Sequence, residues 1–393
     1  MLCFMETFSS PPARTVNRRT FLKVSTLAGL GLAIDPTIQR SLAATREDIK
    51  PLIIFMQGGA QSPYEFVSPL TDSPSEFCGP CSTINATNGI RIGEHWKEFA
   101  KVAKDTAVIR SLDAQNNEHK SKHLFGGSNE LCKQAEQLAH GGIPHPFIAL
   151  PSNFKDFTGL DPNAGFKIEW NDKEKRYTPP PIELDPHLSK RMDLLRDLES
   201  WTSESKPVKL MEKNRELAAS LLLGGDKLHA PFKNAEKQTE RYGDNEIGRA
   251  AALAAEFAKS GAGVTFIYNE FQQGWDMHND LQARMNQLAP PTDRALAELI
   301  RDARRHGFVV LCTTEHGRTP RMNSGAGRDH HNVGYMIGAG GGFAEGMVHG
   351  SLDKQGDIKT LPVKADQVMP TTLKACGVDL PIPNNTVKEI LKG

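Results

Sequence analysis

The chain has 393 residues, with 47 Lys and Arg against 47 Asp and Glu, so its formal net charge is zero. A balanced surface with no basic excess points away from nucleic acid, and no late apolar run is long enough for stable membrane insertion. Residues 45–393 suffice for one large α/β domain or two smaller ones.

The first segment reads as an address. Asn17-Arg18-Arg19-Thr20-Phe21-Leu22-Lys23 precedes an apolar stretch from Val24 to Ile34, and Ser41-Leu42-Ala43-Ala44 offers a small-residue cleavage pattern. Paired arginines before a modest apolar region predict a twin-arginine signal over residues 1–44 and a periplasmic or otherwise exported location. The apolar run is too short and too rich in Gly and Ala to span a bilayer.

Pro51–Met56 is a short buried strand that stops at Gln57-Gly58-Gly59. In doubly wound sheets a ligand sits just beyond such a strand end. Cys78-Gly79-Pro80-Cys81 has the letters of a redox pair, but the sequence after it is loop or strand, not the helix that such a pair needs. A disulfide stapling the loop is the preferred expectation, although the five cysteines after residue 44 are an odd number. Cys312 and Cys376 lie in apolar contexts and read as buried thiols. After a helical stretch over His95–Lys104, Thr106–Ser111 is a second strand. It runs toward His119 and His123, which are four apart and would share a face on a helix. Phe147–Pro151 is a third strand.

From 151 to about 231 the composition turns rich in proline and aromatics, with helical runs over His187–Trp201 and Val208–Leu223; this predicts a helical insertion beside the main sheet. The α/β rhythm then returns. Asn245–Lys259 is helical, Val264–Tyr268 a strand, Pro291–His306 an amphipathic helix with Pro in its first turn, Phe308–Thr314 a strand, and Val333–Gly338 another. Alternation of this kind predicts a parallel sheet with both faces covered.

Three short runs sit at these strand ends: Gly274-Trp275-Asp276-Met277-His278, Thr314-Glu315-His316-Gly317-Arg318 and Arg328-Asp329-His330-His331. Taken singly, each reads equally as a turn-capping acid, a surface ion pair or a solvated histidine. Together they bring carboxylates and imidazoles to one sheet edge, which is what a divalent cation needs. Asp276, His278, Glu315, His316 and His330 are the expected metal ligands. Asp329 is the expected partner that fixes the tautomer of a ligating histidine.

These runs, with Gln57-Gly58-Gly59 and the His119–His123 spacing, resemble the exported bacterial proteins grouped as domain-of-unknown-function family 1501. That family is similar to a branch of the alkaline phosphatase and sulfatase superfamily. The resemblance implies an alkaline-phosphatase-like three-layer α/β sandwich over residues 45–393, with a mostly parallel central sheet between helices and metal at strand ends. It implies zinc, calcium or manganese as cofactor. Thr314-Glu315-His316-Gly317 is similar to the superfamily's Asp-His-Gly run, with Glu for Asp, although family members commonly carry Phe at the place of His316. Asp276 and His278 resemble a ligand pair, and His330 the late histidine that completes it. Two departures stand out. Gln57 replaces a metal-binding Asp, and His119 falls where a nucleophile is carried; Ser62 and Ser121 are near in sequence but have no motif behind them.

The expected function is an exported sulfatase- or phosphatase-like hydrolase of phosphate or sulfate esters, acting through a metal-activated water on a small-molecule or polysaccharide substrate. His119 would act as acid, base or nucleophile, and Arg318 would stabilise the developing anion. Gln57, Ser62 and His123 are weaker candidates for the site's surroundings. The alternative is a non-catalytic binding or assembly protein on the same fold, working with an exported protein partner, since family members often lie beside large exported proteins.

Overall fold

The structure is a computed structural model and describes residues 49–140, 147–151, 165–179, 225–269, 274–379 and 385–392. The export signal at 1–44 and the helices read at 187–201 and 208–223 lie outside the described residues.

A nine-stranded sheet forms the centre. Its strands are β1 (Leu52–Met56), β2 (Thr106–Asp113), β3 (Phe147–Pro151), β4 (Phe166–Lys167), β5 (Val264–Tyr268), β6 (Val309–Thr313), β9 (Val333–Ala339), β10 (Val348–His349) and β11 (Val363–Lys364). Two further short strands, β7 (Gly317–Arg318) and β8 (His330–His331), pair with each other outside it. The spatial order is β10-β2-β9-β6-β1-β5-β3-β4, with β11 also against β2. All pairings are parallel except those of β9, which runs against both β6 and β2. The sheet is therefore mostly parallel, as expected, with one reversed strand. Strand β4 falls inside the segment read as an insertion. There it pairs parallel with β3, Ile148 opposite Phe166 and Ala149 opposite Lys167.

The period-2 alternation of the apolar runs explains the layers. In β1, Ile53 and Phe55 enter one core, and Leu52, Ile54 and Met56 the other. The first core is covered by α1 (Lys97–Val102), α4 (Glu246–Lys259) and α5 (Leu281–His306), and the second by α2 (Ser128–Leu138) and α6 (Val368–Ala375); α3 (Gly225–Glu236) packs on α4. A strand buried on both faces reads as a near-continuous apolar run, and β1, β5 and β6 are buried at every residue, with Thr265 and Thr313 their only hydroxyls besides Tyr268.

Helix α4 starts where Asn245 accepts a hydrogen bond from Gly248 N (2.9 Å), and its Ala-rich body lets it pack closely. Helix α5 departs from expectation. It begins ten residues before Pro291, at Leu281, and carries Pro290 and Pro291 inside it. No helix among the described residues is long and apolar enough to cross a membrane.

The chain path sets the site. Strand β6 delivers Thr314, Glu315 and His316 to its carboxyl end. The chain then makes the β7–β8 excursion and re-enters the sheet along reversed β9. The start of β9 therefore lies at the edge where β6 finishes, and His330 meets His316 there, with ring centroids 4.5 Å apart.

Candidate metal centre

Four histidines and one aspartate converge at this edge. Asp276 Oδ1 lies 3.1 Å from His278 Nε2, 3.5 Å from His119 Nε2 and 3.5 Å from His330 Nε2, and the Nε2 atoms of His278 and His330 are 3.2 Å apart. His119, His316 and His330 offer nitrogens within 4.8 Å of one another, and Asp276, His278 and His330 form a second such group. Donor atoms about 2.0–2.1 Å from one tetrahedral ion would stand roughly 3.3–3.4 Å apart. The three edges from Asp276 Oδ1 and the His278–His330 edge, 3.1–3.5 Å, bracket that value.

The far nitrogen of each ring fixes its tautomer. His119 Nδ1 donates to Glu315 Oε1 (2.8 Å), His278 Nδ1 to Asp329 Oδ1 (2.8 Å), His330 Nδ1 to Asn117 O (2.8 Å) and His316 Nδ1 to Gly317 O (2.8 Å). For His278, His316 and His330 the acceptor is a carboxylate or carbonyl, so Nδ1 carries the proton and Nε2 keeps its lone pair. His119, lifted to about 9 against its burial by Asp276 and Glu315, carries a proton on Nε2 as well near pH 7 and turns it toward Asp276. His316 Nε2 is buried and has no hydrogen-bond partner among the described residues. Arg318 Nη1 meets the His278 lone pair at 3.4 Å, and the His119 proton faces Asp276; a divalent ion at the centre would replace that proton and take up the inward nitrogens. The donor set of imidazoles and one carboxylate fits a zinc-like divalent ion.

Several expectations are revised by this geometry. Glu315, expected as a ligand, stands behind His119 and accepts from Gly59 N (2.8 Å) as well as from that ring. His119, expected as acid, base or nucleophile, presents its Nε2 to Asp276 as part of the cluster itself. His119 and His123 do not share a helix: the local helix spans only Lys122–Phe125, and His123 Nε2 donates to Glu315 O (2.8 Å). Gln57 is fully buried, accepts from Asn269 Nδ2 (2.8 Å) and points its amide at Cys312, so it is a core residue. The Ser62 oxygen accepts from Tyr64 N (3.2 Å) and caps the turn that follows.

Arg318 is a brace. It is 1 % exposed; its Nε donates to Ala60 O (2.9 Å), its Nη1 to Arg328 O (3.2 Å) and His278 Nε2 (3.4 Å), and its Nη2 to Gly59 O and the Asp276 carboxylate. A guanidinium so occupied holds Asp276 in place; it does not wait for an anion. Gly59 makes this approach feasible. Its φ is +90°, and a Cβ there would lie 2.6 Å from Asp276 N. Gly327 does the same for His278, whose main-chain carbon a Cβ would meet at 2.1 Å.

The electrostatics follow burial and pairing. Burial opposes the charge on Asp276, but the His119 and Arg318 contacts outweigh it and hold the carboxyl well below the usual range. Burial likewise opposes Glu315, and the His119 hydrogen bond again prevails and lowers it. The His119 ring resists charging through burial, yet Asp276 and Glu315 lift it to about 9. Burial pushes His316 down to about 4.

The Cys78–Cys81 loop does not build a redox centre. Both thiols are free, where a disulfide was preferred. Cys78 closes a one-turn helix, Ser75–Cys78, and its thiol meets Leu70 O (3.2 Å) and Ser73 O (3.1 Å). Burial pushes Cys81 up to about 12.

Fold and site together define an α/β sandwich with a histidine-rich candidate metal centre at its strand ends. The family described as "Protein of unknown function (DUF1501)" matches residues 176–382, and the chain belongs to it. No curated protein matches the chain. Among solved structures, a phosphonate monoester hydrolase from Silicibacter pomeroyi is similar at 13% identity and a TM-score of 0.35, covering 88% of this chain and 77% of that one. The lipoteichoic acid synthase LtaP from Listeria monocytogenes is similar at 11% identity and a TM-score of 0.35, covering 94% and 79%. A Bacteroides thetaiotaomicron protein described under the metabolism of multiple glycosaminoglycans is similar at 11% identity and a TM-score of 0.32, covering 84% and 73%.

Proposed function

We propose that the protein is a metal-dependent hydrolase of phosphate or sulfate esters. One observation carries the reading: the Nε2 atoms of His119, His278 and His330 all stand within 3.5 Å of Asp276 Oδ1, with Nδ1 of each ring held from behind. These four residues would hold the ion. When bound, a divalent ion supplies Lewis acidity, polarising an ester oxygen and lowering the pKa of water. His316 stays neutral near pH 7 and offers a lone pair from a buried nitrogen. Glu315, Asp329 and the Asn117 carbonyl keep the other rings in one tautomer. Arg318 keeps Asp276 ionised and aimed. Water is the nucleophile in this reading, and the Ser62 oxygen serves its own turn by accepting from Tyr64 N.

The substrate class in this reading is a small-molecule or polysaccharide ester met outside the cytoplasm. The export reading rests on Arg18-Arg19 ahead of the Val24–Ile34 apolar run. The occupied state of Arg318 favours a second reading, a binding or assembly protein on the same fold, because the one cation expected to greet an anion is already committed. A panel of chromogenic phosphate, phosphodiester and sulfate esters, run with several metals, separates the two. The hydrolase reading expects turnover that needs metal and disappears in His330→Ala. Equal turnover by wild type and variant contradicts it.

A further inference from the structure

We propose that Cys81, Glu94 and His95 form a second cation site, separate from the strand-end cluster and suited to a zinc-like ion. The local fold derives from a hairpin: Thr83–Asn85 pairs antiparallel with Arg91–Gly93, with Thr83 opposite Gly93. Continuing that register backward sets Ser82 opposite Glu94 and Cys81 opposite His95. The hydrogen bonds follow it: Glu94 N donates to Ser82 O (2.9 Å), and Ser82 N donates to Glu94 Oε1 (3.0 Å). One donor atom from each of Cys81, Glu94 and His95 lies within 4.8 Å of the others.

The imidazole shows what the cluster lacks. His95 Nε2 donates to Asn286 Oδ1 (2.7 Å), which leaves the lone pair on Nδ1. That Nδ1 is buried and has no hydrogen-bond partner among the described residues. A buried acceptor left unmet loses its hydration without compensation, and a cation would supply the missing partner. The carboxylate is held toward the site by Ser82, and the third donor is sulfur. Thiolate, imidazole and carboxylate together select zinc over magnesium or calcium, and binding displaces the thiol proton. The ion would clasp the Ser75–Cys81 loop to the hairpin and, through Asn286, to α5. The same hairpin supports the chemistry indirectly. Gly93 N donates to Phe66 O (2.9 Å), next to Glu65, whose carboxylate is paired with Arg328 (2.8 Å) just before Asp329 and His330.

Cobalt substitution of the whole protein tests this. Thiolate coordination gives a near-ultraviolet charge-transfer band, and elemental analysis counts the ions. The band is expected in wild type, in Cys78→Ser and in His330→Ala, which removes only the strand-end ion. It is expected to vanish, with loss of one bound ion, in Cys81→Ser. If Cys81→Ser does not fold, His95→Gln carries the test: loss of the band with a native circular dichroism spectrum supports the site, and a retained band contradicts it. No band in wild type, a band indifferent to Cys81→Ser, or a Cys78–Cys81 disulfide in protein prepared without reductant overturns the proposal. None of these outcomes depends on ester turnover, so the site stands or falls separately from the hydrolase reading.

Discussion

His278 and His330 hold their Nε2 atoms 3.2 Å apart while each donates its other ring proton outward, to Asp329 and to Asn117 O. Two imidazole lone pairs do not choose that distance unaided. They come from different chain segments, 52 residues apart; Arg318 Nη1 stands 3.4 Å from the His278 nitrogen, and a shared cation or proton would make the pair favourable.

The outer carboxylate is expected to tune the ion. Glu315→Gln keeps an acceptor for Gly59 N but removes the charge behind His119. Metal affinity should fall about 10–100-fold with the fold intact. Competition with a chromophoric chelator measures it, and an unchanged affinity would show that Glu315 does not act through His119.

Arg318 is expected to be a stability residue. Arg318→Ala strips donors from Gly59 O, Ala60 O and Arg328 O and a counter-charge from Asp276. Orphaned buried acceptors of this kind should cost about 3 kcal/mol or more. Lysine lacks the planar fork and should recover little of it. Urea denaturation of the two variants checks both statements.

The loop after β1 leaves no room for a side chain. Gly59→Ala combines a left-handed φ with a Cβ driven into Asp276 N. A loss of about 2 kcal/mol or more is expected, together with weaker metal binding, since the Asp276 loop must move aside. Calorimetric melting and metal titration on one sample report the two effects.

Protons should compete with the ion. In the metal-free protein His119 is held up at about 9, above the ~6.5 expected when unfolded. A raised imidazole contributes stability that is complete below ~6.5 and is lost as pH rises through about 9. The metal-free protein should therefore lose stability across that window, and metal addition at pH 7 should release protons. Titration calorimetry in buffers of different ionisation enthalpy detects the release, and none would argue against His119 as a ligand.

Much of this was legible in the residues and some was not. The β-branched runs gave strands β1, β5 and β6 within a residue or two, because strands buried on both faces read as near-continuous apolar and β-branched runs. The same property hides direction: β9 looks like its parallel neighbours in sequence and runs against them. The three strand-end runs were visible, but the order of Glu315 and His119 around the centre was not. His119 sits in a loop, 196 residues from the carboxylate it touches, and no local period reports that contact. Pro290-Pro291 misplaced the start of α5, because proline marks a first turn far more often than a helix interior.

The most direct measurement is anomalous diffraction at a metal absorption edge on crystals grown with zinc or manganese. The account predicts a peak about 2.0–2.2 Å from His119 Nε2, His278 Nε2, His330 Nε2 and Asp276 Oδ1. A peak held by Glu315 with His119 turned away, or no peak at that edge of the sheet with all four side chains in place, would contradict it.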